Sequence, residues 1–251
     1  MVYLERFRAM VDEIESHPLL EVVDFSVNQP ASDELLTSVE ETLRTSLAEP
    51  IRTFYKETNG LRLYWKIKSG LTDEELDRLE EVYDDYDIGL PNEEEDTDDE
   101  NPFAHINLIS IEDCIIKRNW QEKIIFDEIN YNDETVEFAG VTYRERDFQR
   151  RLKPFDLFSA YSCMAFFFEE GVENPKVLRL SSHYVEWDNS KITDFKSYLE
   201  MLLVTRGIVD ARGEIYNQYR GDREPQLITG YDYWSEENVP KLFRNRNQYR
   251  F

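Results

Sequence analysis

The sequence has very few of the residues from which disulfide frameworks, metal centres and phosphate-binding loops are built. Its 251 residues include 2 cysteines, 3 histidines and 9 glycines. Two cysteines make no disulfide framework, which favours a reducing compartment. The spacings Cys-x-x-Cys and His-Glu-x-x-His are absent, and so are the glycine-rich patterns that cradle phosphate. We therefore expect neither a metal ion nor a cofactor.

Long apolar runs and basic residues are also scarce. No apolar stretch approaches the roughly 20 residues that a membrane-spanning helix needs, and residues 1–6 lack the basic start and apolar stretch of a secretory signal. Lys and Arg number 29 against 53 Asp and Glu, which gives a net charge of −24. That charge argues against unaided binding to nucleic acid or to an anionic membrane. We expect a soluble cytoplasmic protein, and 15 Tyr, 15 Phe and 4 Trp are enough for a folded core.

The negative charge is concentrated in one stretch. Residues 73–100 hold 16 acidic residues and one basic residue, Arg78, and residues 93–100 alone hold seven carboxylates in eight positions. Two interpretations remain open: a solvated loop that aids solubility, or a region that attracts a basic protein partner. The ligand spacing of a calcium-binding EF-hand fails in the frames that start at Asp84 and at Asp96. On the second interpretation, the partner-binding residues are Asp84, Asp85, Asp87, Glu93, Glu94, Glu95, Asp96, Asp98, Asp99 and Glu100.

The order of the predicted elements indicates an α+β fold. Apolar spacing predicts a helix over residues 4–14, and residues 18–31 are predicted to be a connection. Ser32 is predicted to cap a second helix, and a third helix starts at Pro50 and stops before Asn59-Gly60. Predicted strands follow at residues 61–67, 106–111, 124–129, 136–143, 164–168, 177–180 and 184–187, with a hairpin turn at 132–134. A last helix, capped by Thr193, is predicted to end at Gly207.

A search for catalytic residues returns little. His17 is expected at the surface, while His105 and His183 lie beside predicted strands, where a hydrogen-bonded structural role is favoured. Cys163 precedes an apolar strand and is expected to be buried and inert. A pair of carboxylates about 5–9.5 Å apart would suffice for a glycosidase-type hydrolase, and 53 acidic residues leave that alternative open. We expect no catalytic residue and no enzyme.

The three segments at residues 39–65, 106–113 and 187–203 together resemble the SUKH superfamily. The first is the acidic helix with Val39 and Leu43 followed by Leu-Ala-Glu-Pro-Ile-Arg-Thr-Phe-Tyr-Lys-Glu-Thr-Asn-Gly at 47–60 and by a strand with Trp65. The second is Ile-Asn-Leu-Ile-Ser-Ile-Glu-Asp at 106–113, similar to the family's middle strand and the turn into its next helix. The third runs from Trp187 through residues 192–203, with Thr193-Asp194 where Ser is usual and Tyr198 where the second Phe is usual.

The resemblance covers residues 32–207, interrupted by an acidic insertion at 70–104, with an N-terminal helical extension at 1–31 and an aromatic-rich, basic-tailed extension at 208–251. It implies a SUKH-like mixed sheet packed against several helices, with Phe54, Trp65, Trp187, Phe195, Leu199 and Leu202 buried. It also implies a non-catalytic binding module. Bacterial members resemble immunity proteins that neutralise toxins, often nucleases, so the expected partner is a basic toxin domain. A regulatory scaffold like the fungal cell-wall assembly regulators is the alternative.

Overall fold

One sheet runs through most of the part of the chain that the structure describes. The structure is a computed structural model, and it describes residues 3–75, 104–118, 135–138, 140–159, 162–181, 191–209, 211–212, 226–228 and 243. In these residues the helices are α1 (Leu4–Glu15), α2 (Asp33–Leu43), α3 (Glu49–Glu57), a π-helix (Glu112–Lys117), α4 (Glu145–Arg151) and α5 (Phe195–Thr205). The strands are β1 (Leu20–Val27), β2 (Leu61–Ile67), β3 (Ala104–Leu108), β4 (Thr135–Phe138), β5 (Val141–Arg144), β6 (Leu152–Asp156), β7 (Ser162–Phe167), β8 (Lys176–Ser181), β9 (Lys191–Thr193) and β10 (Gln226–Ile228).

The sheet is antiparallel except at one edge. Its strand order is β1-β2-β3-β6-β7-β8-β9-β10, and only β9 and β10 pair in parallel. Strands β4 and β5 form a separate antiparallel hairpin. Sequential antiparallel strands with helices before and after them make an α+β fold, as the sequence predicted.

Strand β7 is covered on both faces, because every one of its residues is buried. Successive strand residues point to opposite faces of a sheet. Phe166 accordingly contacts Phe195 of α5, with ring centroids 5.3 Å apart. The next residue, Phe167, contacts Phe138 of the β4–β5 hairpin and Phe148 of α4, at 5.0 and 4.9 Å. Helix α5 therefore covers one face, and the hairpin with α4 covers the other.

The predicted helix signals are confirmed, with one shift. The Ser32 side chain accepts a hydrogen bond from Leu35 N at 3.2 Å and caps α2, and Pro50 lies in the first turn of α3. For α5, however, the N-cap is Asp194 rather than Thr193. Its carboxylate accepts from Ser197 N at 2.8 Å, because Asp194 is the residue that leaves β9 in an extended conformation.

Two sequence-based assignments are wrong. Residues 18–31 are not only a connection, because Leu20–Val27 forms the edge strand β1, which pairs with β2. The polar residues of β1 and a register shift between Val22 and Asp24 hide the alternation of apolar and polar residues that predicts a strand. Residues 136–143 are not one strand but two short strands that turn at Gly140.

The predicted strand at 106–111 lies slightly earlier in the structure, at Ala104–Leu108. The predicted strands at 124–129 and 184–187, the turn at 132–134, His183 and Trp187 lie outside the described residues.

The segments that carry the family resemblance contribute to the core. Phe54, Trp65, Phe195, Leu199 and Leu202 are all buried, as predicted. Gly60 has a φ of +104°, and a Cβ at this position would lie 2.4 Å from the carbonyl oxygen of Leu108, so only glycine fits between β2 and β3. Among the helices of the described residues, none is both long and apolar enough to cross a membrane.

Candidate functional site

A groove lined by many charged side chains lies beside helix α4. It has a volume of about 770 Å³, and we call it the α4 groove. Its walls come from the end of α2, from β5, from α4, from the start of β6 and from the residues after β7. The lining residues are Thr42, Leu43, Arg44, Thr142, Tyr143, Arg144, Asp147, Arg150, Arg151, Lys153, Phe168, Glu169 and Glu170.

The α4 groove is rich in positive charge although the chain as a whole is acidic. Among the described residues, its lining contains five cationic and three anionic side chains, whereas the whole chain has a net charge of −24. Arg150 on its rim is 58% exposed and pairs loosely with Asp147, with 3.8 Å between nitrogen and oxygen. Cations gathered on several elements favour binding of an anionic group.

The inner wall of the α4 groove is held in place by a hydrogen-bonded group around Glu169. Its carboxylate accepts from Tyr143 Oη at 3.0 Å and from Lys176 Nζ at 2.6 Å. Burial works against the charged carboxylate, but Lys176, Tyr143 and Arg151 outweigh it and lower the pKa of Glu169. Arg151 lies over the Tyr143 ring at 5.5 Å and donates to the Phe168 carbonyl at 3.4 Å. Burial, with the Glu169 hydrogen bond, raises the pKa of Tyr143 to about 12.

Lys153 is a half-buried cation of the α4 groove. Burial, with the nearby positive charge of Arg118, lowers the pKa of Lys153 to about 8. Its ammonium donates to the Arg150 carbonyl at 2.6 Å, which links the start of β6 to the end of α4. This lysine therefore loses its proton near pH 8, and the positive charge of the groove depends on pH there.

At the other end of β6 lies a fully buried ionic cluster. Arg212 Nη2 lies 2.7 Å from Asp156 Oδ2, and both side chains are 0% exposed. Tyr198 Oη donates to the same carboxylate and accepts from Arg212 Nε at 2.8 Å. The second oxygen, Asp156 Oδ1, accepts from Asn107 N at 2.8 Å. Arg212 also donates to the His105 carbonyl and stacks on the Phe158 ring at 4.3 Å.

The side chains of this buried cluster satisfy one another within the core. Burial by itself lowers the pKa of Arg212, but Tyr198 and Asp156 raise it above its ordinary value. Burial also raises the pKa of Tyr198 well above its ordinary value. Charges and hydrogen bonds are matched inside the core, and the Asp156 and Arg212 side chains have no exposed surface for a substrate.

None of the ten predicted partner-binding residues between Asp84 and Glu100 lies in the described residues, so that prediction stays a prediction. In the described part of the chain, His, Cys, Asp and Glu side chains form no group of three or more that could hold a metal ion. His105 has the structural role expected of it: Nδ1 lies 3.0 Å from the Phe158 carbonyl, and burial lowers its pKa. Cys163 is buried, and burial raises the pKa of its thiol well above the ordinary value.

The prediction for His17 is wrong. The residue is only 5% exposed, because the chain turns straight from α1 into β1 and covers the ring. His17 Nδ1 accepts from Leu19 N at 3.3 Å, and its ring meets Phe243 at a centroid distance of 5.9 Å. The local sequence around His17 could not predict this burial, because Phe243, which packs against the ring, lies more than 200 residues away in the sequence.

Sequence reasoning also missed the α4 groove and the Asp156 cluster. A usable signal existed for the groove: residues 144–153, Arg-Glu-Arg-Asp-Phe-Gln-Arg-Arg-Leu-Lys, form the densest basic stretch of the described residues. The cluster offered no such signal, because Asp156 and Arg212 are one Asp and one Arg among many charged residues. No family model, no curated protein and no solved structure matches this chain.

Proposed function

We propose that this chain is a non-catalytic binding protein of the SUKH type, and specifically an immunity protein that binds and neutralises a basic toxin domain in the cytoplasm. The α+β fold and the absence of a membrane-spanning helix in the described residues are consistent with that role. The proposal rests on what the residues that carry the resemblance do in the fold, and on where the negative charge lies in the sequence.

The observation that carries the proposal is the junction of the three resembling segments. Trp65 of the first segment donates from Nε1 to the carbonyl of Arg206, directly after the helix of the third segment, at 2.7 Å. Asn59 Oδ1 of the first segment accepts from Ile111 N of the second at 2.9 Å. Three segments that are far apart in the sequence are thus joined by hydrogen bonds, and these bonds are made by residues that the resemblance marks as important for the fold.

These residues stabilise the fold, so we expect other residues, on the surface, to bind the partner. A family whose shared residues are structural can keep its fold while its surface changes with each partner. The acidic stretch 73–100 is the strongest candidate surface by charge. Nuclease toxins hold anionic nucleic acid and so present basic clefts, and electrostatic steering between opposite charges raises association rates to about 10⁸–10⁹ M⁻¹s⁻¹.

The carboxylate hydrolase is the weaker alternative. Asp156 is enclosed and bound to Arg212, and Glu169 is bound to Lys176 and Tyr143. Neither carboxylate can act on a substrate while it is held in these ion pairs and hydrogen bonds. The regulatory scaffold shares the fold and the non-catalytic binding, and differs from the immunity protein in the partner alone.

Capture of the partner by the full-length protein tests the proposal. We expect the immobilised protein to retain a basic toxin domain from the native lysate, and the purified protein to abolish the toxicity of that domain when the two are mixed. Capture of cell-wall assembly components instead would favour the scaffold. A retained toxin that stays fully active in the complex would contradict the immunity proposal.

The role of the acidic stretch is tested by kinetics with the captured partner. Changing the seven carboxylates at 93–100 to their amides should slow association in 50 mM salt, and 500 mM salt should remove most of the difference. The reason is that steering acts before contact, through unscreened charge. An association rate within twofold of the parent at low salt would exclude steering, and a faster dissociation with little salt dependence would indicate direct contact.

A further inference from the structure

We propose that the α4 groove binds a carboxylate-rich segment of a protein partner, as a second binding surface opposite in sign to the acidic stretch. This inference does not rest on the toxin proposal, because the groove and residues 73–100 share no residue. It rests on the charge, the shape and the fixed geometry of the groove.

The charge of the groove favours an anionic occupant, because one of its three anions is already paired with a cation from outside the groove. Glu169 is already bound to Lys176, a cation that does not line the groove. Asp147 lies beside Arg150 on α4. The side chains of Arg44 and Arg144 are exposed. An entering carboxylate therefore meets guanidinium groups from α2, β5 and α4, which suit bidentate binding.

The dimensions of the groove favour a peptide over a single small anion. At about 770 Å³ it is in the range of sites that enclose drug-sized ligands and far exceeds one carboxylate or phosphate. Its cations are distributed over four elements rather than gathered at one point, so they match single charges spaced along a chain. Leu43, Tyr143 and Phe168 add apolar surface for the aliphatic parts of a peptide.

The walls are fixed before any ligand binds. The Tyr143 ring packs between Phe148 and Phe167, at 5.7 and 5.6 Å, which anchors the β4–β5 hairpin to the sheet. Arg151 is held over Tyr143 and against the Phe168 carbonyl. Preorganised side chains lose less conformational entropy on binding, so the groove can hold a flexible acidic segment despite the cost of ordering it.

The test is fluorescence anisotropy of the full-length protein with a labelled ten-residue peptide in which Glu alternates with Ser. Ionic strength is held at 0.1 M, where the Debye length of about 10 Å limits repulsion from distant acidic residues. We expect measurable binding of the Glu peptide, and at least tenfold weaker binding of the matching Gln peptide. Equal binding of both peptides would overturn the proposal.

The variant Arg144→Glu/Arg150→Glu tests the location. We expect it to weaken binding of the Glu peptide at least tenfold, because two guanidinium groups of the groove change sign. The matched control is Arg146→Glu, an exposed arginine of the same helix that does not line the groove, and it should change the affinity less than twofold. Equal losses in both variants would place binding elsewhere, and unchanged circular dichroism must accompany the result.

Two further outcomes would overturn the proposal in favour of other occupants. Displacement of the peptide by inorganic phosphate at micromolar concentration would identify a small-anion site. A dimer of the parent protein in analytical ultracentrifugation that Arg144→Glu/Arg150→Glu dissociates would identify a second copy of this chain as the occupant. A monomeric protein whose bound peptide resists millimolar phosphate supports the proposal as stated.

Discussion

Strand β6 carries a charged residue near each end, and the two ends differ in how that charge is accommodated. Asp156 is fully buried, and its carboxylate oxygens accept hydrogen bonds from Arg212, from Tyr198 and from the backbone N–H of Asn107. Lys153, three residues earlier, is half-buried in the α4 groove beside another cation, Arg118. Burial acts on both ends, but within the part of the chain that the structure describes only Asp156 of these two residues forms an ion pair.

The contrast shows that the partner, rather than burial, decides how a charge is tolerated. Burial opposes the charged forms of both Lys153 and Arg212. Tyr198 and Asp156 reverse that effect for Arg212, whereas Arg118 adds to it for Lys153. Arg212 therefore keeps its charge, because its pKa is raised, while Lys153 holds a charge that it loses near pH 8.

The largest expected effect comes from Asp156→Asn. It keeps the shape of the side chain but leaves the Arg212 charge buried without a counter-charge, which costs about 3–5 kcal/mol in comparable buried pairs. Urea unfolding should show this loss as a lower midpoint. Asp147→Asn, an exposed carboxylate of the α4 groove, is the control and should change stability by less than about 0.5 kcal/mol. Similar losses in the two variants would mean that the ionic cluster contributes no more than a surface charge.

Leu199→Ala, next to Tyr198 in α5, provides an apolar reference for that loss. The leucine is 0% exposed, so the substitution leaves a cavity and should cost about 2–5 kcal/mol. Chemical denaturation followed by tryptophan fluorescence measures the change. An unchanged midpoint would contradict the burial of this helix face and weaken the family resemblance.

Tyr198→Phe should have a smaller effect in the same direction. It removes one donor to Asp156 and the 2.8 Å acceptor of Arg212 Nε, while the ion pair itself remains. Loss of hydrogen bonds to charged groups predicts a cost of about 1–3 kcal/mol. A loss as large as that of Asp156→Asn would show that the hydroxyl, rather than the ion pair, holds the cluster together.

Lys153→Met should act in the opposite direction. The folded-state pKa of about 8 lies below the ordinary 10.5, so between these values the unfolded chain binds more protons and the stability contribution of Lys153 rises with pH. At pH 7 the charged lysine therefore destabilises the fold by up to about 3 kcal/mol, and its removal should raise the free energy of unfolding by about 1–3 kcal/mol, since the hydrogen bond to the Arg150 carbonyl is also lost. Unfolding of parent and variant at pH 7 and pH 10 measures the difference, which should shrink at the higher pH. Lys196→Met, on the exposed side of α5, is the matched control for the loss of a lysine side chain.

The helices could be predicted because their signals are local. The Ser32 cap, Pro50 and the left-handed Gly60 act within a few residues of the helix ends that they define. Edge strand β1 was missed because exposed and polar residues interrupt its apolar alternation. The α+β order followed from the same local patterns, whereas the strand order, with β3 beside β6, depends on long-range pairing that no local pattern encodes.

The sites could not be predicted for the same reason. A register shift between Pro154 and Asp156 places two successive residues against α5: Phe155 meets the Tyr198 ring at 5.4 Å, and Asp156 accepts from its hydroxyl. Regular strand alternation would have assigned these two residues to opposite faces. The acidic stretch could be found because its charge can be counted directly from the sequence. The sequence composition does not tell which residues that charge contacts.

The contact between α1 and α5 has a consequence for synthesis of the chain on the ribosome. Arg206 donates from Nε to Glu13 Oε2 at 2.9 Å across 193 residues of sequence, and Arg6 pairs with Glu200 across 194. At 5–20 residues per second, α1 is made roughly 10–40 s before the helix against which it packs. Throughout that interval Phe7, Val11 and Ile14, all buried in the finished fold, lack part of their cover. Helix α1 is thus made well before α5 but completed only together with it, and in between a chaperone could bind its apolar face.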